Sequence, residues 1–430
     1  MTYFGIICPP AIGHLNPMCA LGKELKHRGH RVTLFQVPEM ENKLKTTGLE
    51  FQQIGAAEYE PGEIAKFYKE LGENSGISGL KLIIKFFQKE MMMHFRRLPE
   101  VLKQAGVEAL LVDQTTLSGE TVADYLGLPY VTVCNALLIN KEDTVPPYFT
   151  NWTYNTAWWA HLRNRAGNSL LNRLGNPIWE AVQNQRRQWN LKPYANRNHI
   201  GSRLAQICQL PPGYDFPRVE LPECFHYTGP LQDPSGKEPI SFSSISFPFE
   251  KLTGQPLIYA ALGTLQNRKP EIFECIAEAC VDLEAQLVIS LGNPDYQDYD
   301  MKLPGSPIVV PFVPQQQLID KASLVVTHAG MNTTLGALSS GVPMVAIPIT
   351  SEQPGIAMRT VWSGAGEAIA LKKLSVPKLR ETIKRVLTED SYKQNALKLQ
   401  TAIRNAGGVK RAADIIEKAV STREPVLVQR

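Results

Sequence analysis

Apolar residues along this chain gather in short unbroken runs of four to six, separated by longer stretches in which they recur every three or four positions. Runs of that length, bounded by Gly, Pro and Asn, predict strands buried on both faces, and the intervening period predicts amphipathic helices. The runs at 4–7, 31–36, 109–113 and 130–134 predict four strands in the first half. Those at 257–262, 286–291, 308–311, 324–327 and 344–347 predict five in the second. Helices are predicted between them, among others at 119–125, 270–283 and 333–340, and a last amphipathic one at 409–420 after Gly407-Gly408. The first helix is predicted over 18–28, with Asn16 as its cap, Pro17 at its first position and Gly29 as its stop. Strand–helix alternation of this kind predicts an α/β protein with parallel, doubly wound sheets, twice over.

Residues 229–256 break the alternation: they are rich in Pro, Ser and Gly and have no period. The predicted division is therefore 1–232 as a first domain, 233–255 as a linker, 256–406 as a second domain and 407–430 as a C-terminal helix and tail. A chain of 430 residues is long enough for two cores. The formal charge of +4 is too small, without an aromatic and basic binding motif, to predict nucleic acid as a partner. The seven cysteines contain no CxxC pair and read as reduced core thiols, which predicts a cytoplasmic protein. Neither a signal peptide nor a run near ~20 apolar residues is visible, so no membrane crossing is expected.

Two stretches of the first half stand apart. Over 81–98, Ile83, Phe87, Met91, Phe95 and Leu98 form a helical stripe that reads either as core or as the wall of an apolar pocket. Over 151–203 the chain carries five tryptophans and eight Lys or Arg against the single acid Glu180. That segment suits either a peripheral contact with an anionic membrane or a solvated insertion covering a pocket.

Candidate chemistry concentrates at the carboxyl ends of strands. His14 follows the first run, on the rim where open α/β sheets hold ligands. It reads either as a capping histidine or as a reactive group. In the second half, His328-Ala329-Gly330 leads from a strand into a helix starting near Met331, whose free N–H groups and dipole offer an anion site. Asn332 and Thr333 add donors there, and Gly263-Thr264 forms a second loop on the same crevice. GxxxxGK[ST] and GxGxxG are both absent, so neither a P-loop nor the usual dinucleotide fingerprint applies. No metal-ligand pattern is visible, and no metal is expected.

The stretch from Phe312-Val313-Pro314-Gln315 through "THAGMNT" to Glu352-Gln353 resembles the signature box of the UDP-glycosyltransferase type, glycosyltransferase family 1. "LLVDQ", "GLPYVTVCNALL", "QLPPGYDFPR", "FHYTGPL" and "EQPGIAMRTVW" bring it nearest to the branch of bacterial zeaxanthin glucosyltransferases. The resemblance implies a GT-B fold: two Rossmann-like domains facing a cleft, with a C-terminal helix crossing back to the first. It implies an inverting, metal-independent transfer of a sugar, glucose by the nearest branch, from a UDP-sugar to a hydroxyl of a lipophilic small molecule. The UDP-sugar is then a co-substrate, and no cofactor is expected. By the resemblance His14 is the base that deprotonates the acceptor, oriented by Asp113. Gly13, Gly263, Thr264, Phe312, Val313, Gln315, His328, Gly330, Asn332, Thr333, Glu352 and Gln353 are placed on the donor side. Phe87, Met91, Asn135 and Trp158 are placed on the acceptor side. The resemblance leaves two other readings open: a GT-B epimerase or hydrolase of nucleotide sugars, and a non-catalytic carrier of apolar ligands. One departure bears on the donor. Gly336 stands where the family usually has an acid for the ribose hydroxyls, a loss worth ~1–3 kcal/mol in donor binding.

Overall fold

A computed structural model describes the chain except residues 75, 234–246, 265–268, 293–301, 314 and 429–430. The central part of the expected linker and Pro314 of the signature box lie outside the described residues.

The first sheet contains β1 (Tyr3–Ile7), β2 (Arg31–Gln36), β3 (Glu50–Gln53), β4 (Ala109–Asp113), β5 (Tyr130–Cys134), β6 (Gln206–Cys208) and β7 (Phe225–Tyr227). Its spatial order is β3-β2-β1-β4-β5-β6-β7, all pairings parallel. The second sheet contains β8 (Leu257–Ala261), β9 (Gln286–Ser290), β10 (Ile308–Val310), β11 (Ala322–Thr327), β12 (Met344–Ala346) and β13 (Gly366–Ala368). They lie in the order β10-β9-β8-β11-β12-β13, again parallel. β1, β4 and β5 are buried along their whole length because helices cover both faces.

Each sheet reverses its winding once, and that placement creates the site. In the first sheet the switch lies between β1 and β4, where Ile7 pairs with Val112. The chain leaves these neighbouring strands in diverging directions, opening a crevice beyond their carboxyl ends. In the second sheet the switch lies between β8 and β11, with Ala261 beside Thr327. β1 approaches its neighbours closely: a Cβ on Gly5 would meet Leu110 at 2.8 Å and Phe35 at 3.0 Å.

The first helix departs from its expected start. It runs over Ile12–His27, with Pro17 inside it and Ala11 before it. His14 therefore stands in the first helical turn rather than on a loop, and Asn16 is not the cap. Proline lacks only the bond to the carbonyl four residues back, so near a helix start it is tolerated. The helix expected to start near Met331 does so, running over Met331–Ser339, two residues ahead of the range 333–340, and Asn332 and Thr333 stand in its first turn. The helix expected over 270–283 ends at Cys280, and Asp282 adopts φ 63° just beyond it.

The helix Gly408–Thr422 lies on the first domain. Val409, Ile415 and Ile416 join the apolar cluster that holds Phe4, and Arg28 bonds Asp414 and Glu417, each at 2.7 Å. A second cluster joins the two domains, with Leu137, Leu138 and Tyr214 packed among Val313 and Ile356. Beside it, buried Asp215 bonds Arg218 at 2.8 Å and Arg359 of the second domain at 2.7 Å. Burial pushes the Asp215 carboxyl up, but the two guanidinium groups outweigh it and hold it near 2. Removing one member of such a buried set costs ~3–5 kcal/mol. The domains also touch where a Cβ on Gly355 would lie 2.1 Å from the Tyr148 carbonyl oxygen. Only glycine fits there. Among the described residues, no helix is long and apolar enough to cross a membrane.

Candidate active site

β1 and β4 deliver His14 and Asp113 to one rim. Asp113 is fully buried, and its Oδ2 accepts from His14 Nδ1 at 2.7 Å and from Asn135 Nδ2 at 2.7 Å. Its Oδ1 accepts from the Thr115 backbone N–H at 2.8 Å and the Thr115 hydroxyl at 2.6 Å. Burial alone would raise this carboxyl; the His14 charge and these bonds outweigh it and keep it below the usual range. An ionised Asp113 fixes the proton of His14 on Nδ1 and leaves Nε2 free to accept another. Burial works against the imidazolium of His14, yet Asp113, with Glu352 and Glu90 behind it, raises its basicity above the ordinary histidine value. The arrangement suits a general base with its orienting acid. Asn135 is 2% exposed and spends its amide on Asp113, so it supports the pair rather than lining the acceptor space.

Across the cleft, the second domain offers backbone. The helix Met331–Ser339 has no side-chain cap and no acid in its first turn, leaving its N-terminal N–H groups to a ligand. Ala329, just before it, adopts φ 63°, and Ser351, just before Glu352, adopts φ 56°. Positive φ is strained for residues other than glycine, and such strain clusters at ligand sites. The buried His328 ring lies between the two glycine loops: a Cβ on Gly263 would come within 2.7 Å of it and one on Gly330 within 2.5 Å. Both glycines therefore make room for the imidazole. Burial pushes His328 down to about 4, so it faces this site as a neutral ring.

The remaining donor-side residues divide by what already holds them. Thr333 donates to Gln315 Oε1 at 3.1 Å. Gln353 accepts from the backbone of Ile349 and Thr350 at 2.8 and 2.9 Å, which ties down the loop carrying Glu352. Val313 is buried in the cluster between the domains, whereas Phe312 is half-buried and Thr264 exposed at the end of β8. Asn332 reaches across: its Nδ2 donates to the Gly13 carbonyl at 3.1 Å. That carbonyl is the one that Pro17, lacking an N–H, cannot serve within the first helix. Gly336 is buried, and a Cβ there would lie 2.9 Å from Gln316 Oε1, whose amide nitrogen is held by Asp320 and Ser340. Gln316 thus lies against the position where the family acid is missing.

A model of the family described as "UDP-glucoronosyl and UDP-glucosyl transferase" matches residues 15–406. The chain belongs to this family. It is similar to the zeaxanthin glucosyltransferase of Pantoea ananas, at 34% identity over 99% of this chain and 98% of that one. It is also similar to the zeaxanthin glucosyltransferase of Pseudescherichia vulneris, at 30% identity over 99% of this chain and 100% of that one. Among solved structures, the calicheamicin glycosyltransferase CalG4 superposes with a TM-score of 0.75 at 19% identity, covering 99% of this chain and 100% of that one. The two parallel-sheet domains are thus those of a GT-B glycosyltransferase.

Beside the dyad of this glycosyltransferase lies a cavity of about 190 Å³. Ile83, Phe87 and Met91 of the long helix Gly76–Ala105 line it with Leu171, Leu174 and Ile178, and Gln114, Thr115 and Thr116 close the end next to Asp113. Phe87 and Met91 lie where the acceptor side was expected. Trp158 does not: it is 75% exposed at the start of the helix Trp158–Leu174, outside the cavity. The other face of that helix supplies Leu171 and Leu174, so the basic insertion does cover a pocket. Glu90, 4% exposed, also lines the cavity and was not singled out from the sequence. Its signal was there, since Ile83, Phe87, Glu90 and His94 follow one helical face. Among the described residues, no group of three or more His, Cys, Asp or Glu is placed to hold a metal ion.

Proposed function

We propose that this glycosyltransferase moves glucose from UDP-glucose to a hydroxyl of a lipophilic alcohol or phenol of the hydroxylated carotenoid kind, with inversion at the anomeric carbon. The observation that carries this reading is the His14–Asp113 bond of 2.7 Å, with Gln114, Thr115 and Thr116, which follow Asp113 in the chain, lining an apolar cavity and the open helix N-terminus across the cleft. His14 Nε2 takes the proton of the acceptor hydroxyl. The oxygen attacks the anomeric carbon as the bond to the diphosphate breaks on the opposite side, through an oxocarbenium-like transition state. The N–H groups at Met331–Thr333, with the Asn332 and Thr333 side chains, stabilise the departing charge, so the proposed chemistry requires no metal or resident cofactor. Glu352 and Gln353 are assigned to the sugar hydroxyls, Phe312 and Gln315 to the nucleoside.

The apolar walls favour a large hydrocarbon acceptor, since burying ~100 Å² of such surface contributes roughly 2.5 kcal/mol. Exposed Trp158, Trp159, Leu162 and Leu170, with Arg165 and Arg173 on the same helix, suit a cytoplasmic enzyme that rests on an anionic bilayer and collects its acceptor there. The names of the two zeaxanthin glucosyltransferase relatives support the same acceptor class.

The deciding experiment is a donor-by-acceptor screen read by mass spectrometry, with donor-only controls and with flotation on anionic and zwitterionic vesicles at two salt concentrations. Glucosylation of lipophilic alcohols is the expected result, with vesicle binding that weakens as salt rises. Products formed from the nucleotide sugar alone would replace the reading with an epimerase or hydrolase. Transfer only to small hydrophilic acceptors would remove the lipophilic one.

A further inference from the structure

Glu90 sits on the long helix one turn after Phe87 and next to Met91, in the cavity wall beside the dyad. Its side chain is 96% removed from solvent, yet its carboxyl makes no hydrogen bond or ion pair with any described residue. The titratable groups around it are Cys8 after β1, His14 on the first helix, Tyr59 and Tyr68 at the helix Glu63–Glu73, and Asp113 on β4. A buried carboxyl without a partner is costly when charged and forfeits a hydrogen bond when neutral. Burial, and after it the charge of Asp113, pushes Glu90 up to about 8 against the opposing effect of His14. At neutral pH it is a carboxylic acid, with an O–H to donate and a carbonyl oxygen to accept.

A purely hydrocarbon occupant with one hydroxyl, spent on His14, leaves that acid unpaired. An occupant with a second oxygen beside the first does not. We propose that Glu90 reads a second oxygen of the acceptor, adjacent to the hydroxyl presented to His14, so that the cavity selects vicinal diols and hydroxyketones over isolated alcohols. This rests on the proposed transfer to lipophilic hydroxyls and refines it: the far end of the acceptor is chosen by apolar contact, the reacting end by oxygen spacing. Glu90 is in this respect a specificity residue. A site built to hydrogen-bond a substrate group rejects the analogue lacking it far better than an apolar site rejects a size change.

The test uses purified full-length enzyme, UDP-glucose and a matched pair of acceptors that do not titrate between neutral and alkaline pH: dodecanol and the corresponding terminal vicinal diol. The wild type is expected to favour the diol in kcat/KM by about tenfold or more, well beyond the statistical factor of two for an extra hydroxyl. Glu90→Gln, whose amide still donates, keeps that preference. Glu90→Leu, checked for folding by its melting temperature, brings the ratio down to the statistical factor. With the corresponding 1-hydroxy-2-ketone as a third acceptor, whose carbonyl oxygen can only accept, the wild-type KM climbs as the carboxyl loses its proton through about 8, while that of Glu90→Gln stays level. Equal use of both acceptors by the wild type, or a preference that persists in folded Glu90→Leu, overturns the proposal and leaves transfer to lipophilic hydroxyls standing. If Glu90→Leu does not fold, the pH comparison of wild type and Glu90→Gln decides. Transfer to neither alcohol, with UDP binding intact, overturns both.

Discussion

The two walls of the cleft are built from different materials. The second domain meets its ligand with backbone: a bare helix start, glycines at 263 and 330 that yield space to His328, and left-handed φ values at Ala329 and Ser351. Its buried histidine is held neutral. The first domain meets its ligand with titratable side chains, His14, Asp113 and Glu90, all shifted from their ordinary values by burial and by one another. Under the proposed transfer, one wall offers a fixed field to a group that is always charged, and the other moves a proton with groups whose charge can change. The contrast means that substitutions on the two walls should fail in different ways.

The largest effect is expected from His14→Ala. Loss of a positioned base lowers kcat by roughly 10²–10⁴-fold, while UDP binding measured by calorimetry stays at the wild-type level. A mutant with near-normal turnover would return His14 to a helix-start residue. Asp113→Asn comes next, with a fall of about a hundredfold or more as the imidazole loses its fixed tautomer. It carries a sign as well. His14 works as the neutral base, so kcat/KM falls as pH drops through its raised value. Without the Asp113 charge, burial pulls that value down, and the acidic limb of the profile moves to lower pH. A limb that does not move would break the pair.

Gly330→Ala tests the other wall. Its φ of −68° suits alanine, so the only obstacle is the His328 ring, 2.5 Å from the new Cβ. A displaced ring should raise the donor KM by about tenfold with a smaller change in the pH profile. A shifted acid limb instead would show that the two walls are coupled. The smallest effect is expected at Gly336. Gly336→Glu alone must push Gln316 aside and gives little. Combined with Gln316→Ala, it should tighten UDP binding several-fold, up to ~1 kcal/mol. No gain in the folded double variant would mean that this position does not face the ribose.

The same contrast explains what the sequence made legible. Strands such as Arg31–Gln36, Ala109–Asp113 and Tyr130–Cys134 are readable to the residue, because a strand buried on both faces is a short, mostly apolar run bounded by polar residues or turns. The donor wall was readable because its parts lie within one stretch of chain, where strand, glycine and helix start follow in order. The first domain's side of the site brings residues 14, 90, 113 and 135 together from four parts of the chain, and no local pattern links them. His14 and Asp113 were reached through family resemblance. Glu90 is hidden in the sequence because a lone acid on an apolar stripe resembles the solvated edge of the helix. That Asn135 bonds Asp113 and that Trp158 faces solvent is hidden for a related reason: neither which polar neighbour an amide serves nor which side of a helix is covered is encoded next to it in the chain. The start of the first helix was misjudged because Pro17 looks like a beginning, and here it interrupts a helix already under way.

That interruption has a mechanical consequence. The carbonyl vacated by Pro17 is that of Gly13, one residue from His14, and the side chain that fills it, Asn332, stands in the first turn of the helix across the cleft. A single neutral hydrogen bond of this sort is worth only ~0.5–1.5 kcal/mol, too little to hold the domains together and enough to favour one spacing of them. A rotation that parts the two helix starts breaks this bond. Under the proposed transfer, the spacing of these two helix starts is also the spacing of base and leaving group.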